Sequence, residues 1–377
     1  MKQTYIFSAP GRTEISGNHT DHQHGCVLAG AVNLETIARV TLNDTDLIRI
    51  CSEGYAPVEV DLKDLALREE EKNTTAALVR GVAANFVQRG AKLQGFDAAV
   101  TSTVLPGSGL SSSAAFEVLI GTILNELFYD KQLTAVEIAQ IGQWAENVYF
   151  GKPCGLMDQT ASSVGGMVFI DFNDPKAPIV ERLDFDFAAA GHALCIIDSG
   201  ADHADLTDEY AAIPTEMKQV AAYFGKEVLR DVSVETFFAG LPGLRGKVSD
   251  RAILRAMHFL QENTRVQKQA QALRDNDFGK FLQLATESGR SSWMYLQNIT
   301  PAGYIEQQAV GVTLALCDAL LQGRGAYRVH GGGFAGTVQA FVPHDLLDSF
   351  KAGIEAVLGE GSCHVLSIRP EGGIRVQ

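Results

Sequence analysis

Three features of the chain predict two domains of mixed structure, α+β or α/β. Its 377 residues exceed one ordinary domain. Strand-like alternation and helical 3.6-residue spacing take turns along the whole length. A polar, proline-broken stretch, Asn173-Asp-Pro-Lys-Ala-Pro178, lies near the middle. It places the expected division close to residue 175, giving domains 1–175 and 176–377.

The elements follow in order. Tyr5 to Ser8 predicts a short strand that stops at Pro10-Gly11. A polar stretch, Gly11 to Gly25, comes next, then strands over Val27–Leu34 and Thr36–Leu42. Leu47–Cys51 and Val58–Leu62 read as a hairpin. Leu78, Val79, Val82 and Phe86 give Thr75–Arg89 helical spacing. Phe96, Ala98, Val100 and Val104 alternate, so a strand leads into the glycine-serine stretch Leu105–Ala115. The helix after it buries Phe116, Leu119, Ile120, Ile123, Leu124 and Leu127. A further helix opens on the capping box of Thr134 and Glu137 and runs to about Phe150. A short helix closed by Gly165-Gly166 and a strand over Met167–Phe172 complete the first half. In the second half, Leu194–Ile197, Tyr327–His330, Thr337–Val342 and Cys363–Ile368 read as strands. Thr207–Phe224, Asp250–Arg274, Phe278–Arg290, Tyr304–Leu321 and Leu346–Leu358 read as helices.

Composition narrows the function. The formal charge of -14 argues against a nucleic-acid partner, although a few arginines and backbone dipoles can still hold a small anion. The six cysteines are scattered without a CxxC pair, the pattern of reduced thiols. No apolar run has the length of a secretory leader or a membrane span, so the expectation is a cytoplasmic protein without a membrane partner. The Asn-x-Thr triplets at Asn18, Asn73 and Asn298 carry no meaning without secretion.

Four stretches bear on chemistry. Leu105–Ala115 sets glycines and three serines before an apolar helix, where free N–H groups and the positive end of a helix dipole form an anion site. The P-loop pattern GxxxxGK[ST] is absent. Gly331-Gly-Gly333-Phe-Ala-Gly336 satisfies GxGxxG, but a strand follows it where a dinucleotide site needs a helix, so a tight turn is the better reading. Arg12 to His24 gathers hydrogen-bonding side chains suited to a polyhydroxylated ligand. Metal ligation by His19, Asp21, His22 and His24 and a merely solvated loop are the alternatives. Finally, Glu146 lies inside a helix and Asp158 in an apolar, glycine-bounded context. An acid placed like Asp158 suits a base or an electrostatic aid to a hydroxyl nucleophile, and one like Glu146 suits Mg²⁺.

These motifs resemble those of the galactokinases, within the GHMP superfamily of small-molecule kinases. Gly11-Arg-Thr-Glu-Ile-Ser-Gly-Asn-His-Thr-Asp21 is similar to their sugar signature, GRVNLIGEHTDY. Pro106-Gly-Ser-Gly-Leu-Ser-Ser-Ser-Ala114 is similar to the phosphate loop and His330–Gly336 to the third motif. Cys154-Gly-Leu-Met-Asp-Gln159 is similar to CGIMDQ and Asp208-Glu-Tyr210 to SEY. The resemblance implies a two-domain GHMP kinase fold: a ribosomal-protein-S5-domain-2-like N-terminal domain, a ferredoxin-like C-terminal α/β sandwich, and the active site in the cleft between them. It implies ATP and Mg²⁺ as cofactors, a hexose phosphorylated at C1, and a monomer or weak homodimer. Arg12 and Asp158 would be catalytic. Asn18, His19, Asp21, Gly155 and Tyr210 would contact the sugar. Pro106, Gly107, Ser108, Gly109, Leu110, Ser111, Ser112 and Ser113 would wrap the nucleotide, with Ser112 and Glu146 near the metal.

The chain also departs from that pattern. Asn18 stands where galactokinases carry the glutamate at the C6 end of galactose, and Glu14 stands where they carry asparagine. His22 replaces a tyrosine, Thr75 the tryptophan near adenine, and Ala211–Glu216 an arginine cluster. A neutral Asn18 would tolerate an anionic C6 group that a glutamate repels. Galacturonate is therefore an alternative to galactose, although no Arg or Lys is near Asn18 in sequence. A non-catalytic sugar sensor is a second alternative. The intact Ser111-Ser-Ser-Ala-Ala115 run, with Arg12 and Asp158, argues against it.

Overall fold

The computed structural model describes residues 3–104, 109–201, 206–334 and 336–377. Pro106, Gly107 and Ser108 of the expected phosphate loop lie outside the described residues. The first half contains β1 (Thr4–Ser16), β2 (Cys26–Leu42), β3 (Leu47–Ser52), β4 (Val58–Asp61), α1 (Thr75–Gln88), β5 (Phe96–Ser102), α2 (Ser112–Phe128), α3 (Ala135–Trp144), α4 (Met157–Val164), β6 (Met167–Asp171) and β7 (Ile179–Leu183). The second contains β8 (His192–Asp198), α5 (Thr207–Tyr223), α6 (Val234–Leu244), α7 (Asp250–Arg274), α8 (Phe278–Ser291), α9 (Ala309–Leu321), β9 (Ala326–Val329), β10 (Thr337–Pro343), α10 (Leu347–Leu358), β11 (Cys363–Leu366) and β12 (Ile374–Arg375). Among the described residues no helix is long and apolar enough to cross a membrane.

The first sheet has eight strands in the order β12-β1-β2-β5-β3-β4. β6 also pairs with β2, and β7 with β6. β1 and β2 are antiparallel along most of their length, while β3 runs parallel to β5. The second sheet is antiparallel, in the order β11-β8-β10-β9. The first sheet therefore draws on chain from both sides of residue 175. Its strands pack against α1, α2 and α3 through a core that includes Phe7, Val40, Phe96, Val82, Ile120 and Ile141. A separate core joins the two sheets, where Ile15, Leu28 and Met167 meet Val266 of α7, Phe281 of α8 and Phe341 of β10. Burial of such apolar surface is the main favourable term in holding the halves together.

Most elements lie where periodicity places them, and the capping box at Thr134 and Glu137 is present. Three differ. β1 does not stop at Pro10-Gly11 but continues through the polar signature to Ser16. Its register shifts at Pro10/Arg12 and Glu14/Ser16, and bulges of that kind accommodate a proline and re-aim neighbouring side chains. Gly11 is needed there because a Cβ would lie 3.0 Å from Val104 and 3.1 Å from the Leu110 carbonyl. Helix α6 was hidden by Gly240, Pro242 and Gly243, and it starts on the Ser233 cap, whose hydroxyl accepts from Thr236 N at 3.1 Å. Helix α9 begins at Ala309 rather than Tyr304, after a turn in which Gly303 has φ +82°.

Candidate active site

The bulge in β1 points Arg12 at the start of α4. Arg12 Nε donates to Asp158 Oδ1 at 2.7 Å and Nη2 to Oδ2 at 2.6 Å, a bidentate pair. Arg12 Nη1 also donates to the Gly109 carbonyl, and the Ser111 hydroxyl donates to Asp158 Oδ2 at 2.7 Å. Asp158 sits in the first turn of α4, where the helix dipole favours an anion. Burial alone would raise its carboxyl. The Arg12 charge and the hydrogen bonds from Arg12 and Ser111 outweigh burial and hold the group below the usual carboxylate range. Ser111 is left-handed at φ 57°, and its side chain does not cap α2 but reaches Asp158 instead.

A second cluster lies beside this pair. Glu146 belongs to a π-helical segment, Ala145–Phe150, that continues α3, and π segments are frequent at functional sites. Ser113, not Ser112, directs its hydroxyl at Glu146, at 3.5 Å. Gln159, one residue after Asp158, donates to Glu146 Oε2 and to Glu117 Oε2, each at 2.9 Å. Glu117 and Glu146 are both buried. Burial, and next the charge of Glu146, push the Glu117 carboxyl well above its ordinary value.

The polar signature and the glycine turn close on one another. Asn18 is wholly buried; its amide donates to the Gly331 carbonyl and to Glu14 Oε1 (3.2 Å), and its oxygen accepts from Asn298 at 2.7 Å. His19 Nε2 lies 2.9 Å from the Gly332 carbonyl, and the Tyr210 hydroxyl donates to the Gly333 carbonyl at 2.8 Å. Three consecutive carbonyls thus engage three of the side chains expected to meet a sugar. Glu14 pairs with Arg328 at 2.7 Å, and both are buried. His330 accepts from Glu14 N at 3.2 Å and so donates through Nδ1 to Thr337 at 2.8 Å. Asp21 lies against Gly155, where a Cβ would approach Asp21 Oδ2 to 1.9 Å.

Two family models match two of the stretches that build this geometry. Residues 77–166 match the GHMP kinases N terminal domain, and residues 1–42 match the galactokinase galactose-binding signature. The chain carries a GHMP kinase N-terminal domain and a galactokinase signature. Among solved structures, the Lactococcus lactis galactokinase complexed with galactose superposes with a TM-score of 0.85 at 24% identity, over 100% of this chain and 96% of that one. The Methanococcus jannaschii mevalonate kinase superposes with a TM-score of 0.68 at 13% identity, over 97% and 98%. The two-domain GHMP kinase fold expected from the motifs is therefore the fold of this chain.

Within that GHMP kinase fold, Arg12, Asp158, Gly109 and Ser111 come together as one group, with Ser113 and Glu146 in a second group beside them. Asp21 and Gly155 are in contact, and His19 and Tyr210 meet the glycine turn. Asn18 faces inward and is enclosed by protein groups on both sides of its amide. Leu110 is fully buried, and its carbonyl accepts from Arg12 N at 3.0 Å. Among the described residues no three His, Cys, Asp or Glu side chains converge as a metal site, so the His19–His24 stretch does not form one. Glu117, Gln159 and His330 were missed by sequence reasoning. Gln159 and His330 fall inside the quoted motifs and Glu117 one turn from them, and that proximity was the available signal.

Acid should loosen this region. Burial lowers His19 from 6.5 to about 3, and burial also lowers His258 and His330. Between those two values the unfolded chain binds the proton and the folded chain does not, so stability rises with pH across the window. The melting temperature is expected to fall as pH drops below 6.5 towards 3, and less steeply in His19→Gln. Equal slopes in the two proteins would count against a neutral His19.

Proposed function

We propose that this chain is an ATP-dependent sugar 1-kinase that transfers the γ-phosphoryl group to the anomeric C1 hydroxyl of galactose, giving galactose 1-phosphate. The observation that carries the reading is the bidentate Arg12–Asp158 pair, held by Ser111 at the start of α2. The galactose-binding signature over residues 1–42 supports the sugar class.

Phosphoryl transfer demands positioning and charge stabilisation more than covalent chemistry. Arg12 carries a permanent charge to the point where negative charge grows on the transferring group. Asp158 is ionised, fixes the plane of the guanidinium and accepts a hydrogen bond from the C1 hydroxyl. Its lowered pKa makes it a weak base, so it orients the hydroxyl and takes the proton late, as a loose transition state allows. The start of α2 supplies backbone N–H groups and a positive dipole end for the triphosphate. Glu146 and the Ser113 hydroxyl offer oxygen donors of the kind Mg²⁺ prefers and would hold the ion beside the nucleotide phosphates. When bound, the ion neutralises charge on the phosphate oxygens.

A neutral sugar suits the surroundings of Asn18 better than a uronic acid. Arg328, which acts on Glu14, and Arg255, which acts on His19, are already paired, the first with Glu14 and the second with Glu216. The deciding measurement is coupled ADP release over a panel that includes galactose, galacturonate, arabinose and glucose. Turnover of galactose alone is the expected result; turnover of galacturonate alone would replace galactose in the reading, and no ADP release with any sugar would favour a sensor. Gly155→Ala is expected to raise the KM for galactose about tenfold or more, because its methyl group would displace the Asp21 carboxylate. A KM left unchanged would separate Asp21 from sugar binding.

A further inference from the structure

Helix α7 presents a buried polar file to the end of β1. His258, Glu262 and Gln269 are each wholly buried and lie on one face of the helix. His258 Nε2 lies 2.9 Å from the Asn18 carbonyl, and its Nδ1 lies 2.9 Å from the Ser291 hydroxyl of α8. A carbonyl only accepts, so Nε2 carries the proton and Nδ1 accepts from Ser291. Glu262 Oε1 accepts from Gly17 N at 3.3 Å and from Ser288 of α8 at 2.5 Å, with Ser16 Oγ 3.3 Å away, while Arg265 neutralises its other oxygen. The Ser16 hydroxyl also donates to Gln269 at 2.5 Å.

The chain held in this way is unusual. Gly17 has φ +102°, and a Cβ there would come within 2.8 Å of the Cys26 carbonyl. His19, two residues on, is left-handed at φ 58°. A backbone bent so sharply keeps its shape only when its surroundings over-determine it. The hydrogen bonds that do so come from α7, whose His258 and Glu262 are in turn braced by Ser291 and Ser288 of α8, and both helices lie outside the matched family models.

We infer that His258 and Glu262 are positioning residues for the sugar, because they set the backbone of Gly17 and Asn18 and thereby the aim of His19 and Asp21. The inference rests on the sugar-kinase reading for its ligand but not for its geometry. Because α7 belongs to the second half and the loop to the first, any tilt of α7 is passed to the sugar loop through these bonds.

The test uses the full chain with His258→Leu, His258→Gln and Ser291→Ala. Gln can restore a donor near the position of Nε2; Ser291→Ala removes only the group that fixes the tautomer. His258→Leu is expected to weaken galactose binding, read by calorimetry, about tenfold to a hundredfold. The KM for ATP should stay within about twofold, and His258→Gln should recover most of the loss. Ser291→Ala should weaken galactose binding by about three- to tenfold, and it serves if His258→Leu does not fold. Amide exchange at residues 17–21 should accelerate in the same variants. Unchanged exchange at those amides, or galactose and ATP constants that rise together, would overturn the inference. If the wild-type chain binds no sugar, the kinase reading fails, and the exchange measurement still decides whether α7 holds the loop.

Discussion

Asp158→Asn is expected to lower kcat by about two to four orders of magnitude while leaving the fold in place. Asparagine keeps the shape of the side chain but removes the charge that opposes Arg12 and one of two acceptors for its guanidinium. The new NH₂ group would face either Arg12 or Ser111, both of which donate to Asp158 now. Arg12 would lose its fixed plane, and the C1 hydroxyl its orienting anion. Some stability should also be lost, since the buried Arg12 loses its counter-charge, but the Asp158 side chain is 30% exposed and water can replace part of the lost pairing. Galactose binding should weaken far less than kcat falls, which marks an interaction made chiefly in the transition state. Steady-state kinetics, calorimetry and a thermal melt check the three parts. Activity within a few fold of wild type would remove Asp158 from the mechanism.

The second large effect is on stability. Asn18→Glu, which restores the residue that galactokinases carry, is expected to destabilise the chain by about 3–5 kcal/mol. The Asn18 amide now donates to a carbonyl and to the Glu14 carboxylate. A glutamate there would set a buried negative charge against both, with Arg328 already paired to Glu14. Glu14→Asn alone should also destabilise, because it leaves Arg328 buried and unpaired. The double variant frees Arg328 for the new carboxylate, so its loss should be smaller than the sum of the single losses. Urea midpoints of the four proteins give the coupling. Additive losses would mean that positions 14 and 18 do not exchange one charge between them.

That pairing shows what a sequence can and cannot disclose. Arg12, Ser111 and Asp158 were legible because each lies in a contiguous motif whose residue types already imply charge and anion binding. The capping box at Thr134 and most strands were legible because they depend on near neighbours. Asn18 was legible as a substitution but not in its consequence. Its meaning depends on Arg328, Gly331 and Asn298, all distant in sequence. The choice of Ser113 over Ser112 as the neighbour of Glu146 depends on how α2 turns from a left-handed start, which no local pattern fixes. Glu117 and His258 look like ordinary helix residues until the fold buries them. The course of β1 was misjudged for a related reason: a proline and a glycine read as a stop, and only the partner strand shows that bulges carry the pairing past them.

The return of β12 to β1 bears on the order in which this chain can assemble. Residues 374–375 lie against Phe7 and Ser8, and nearby Gly372 leaves no space for even a methyl group against the Ser163 carbonyl, 1.9 Å away. The β1 edge therefore stays unpaired on that side until residues 374–375, far along the chain, reach it. An open strand edge invites pairing with another chain, and β12 covers part of that edge. Disrupting residues 372–375 would leave Arg12 and Asp158 in place yet keep that edge open.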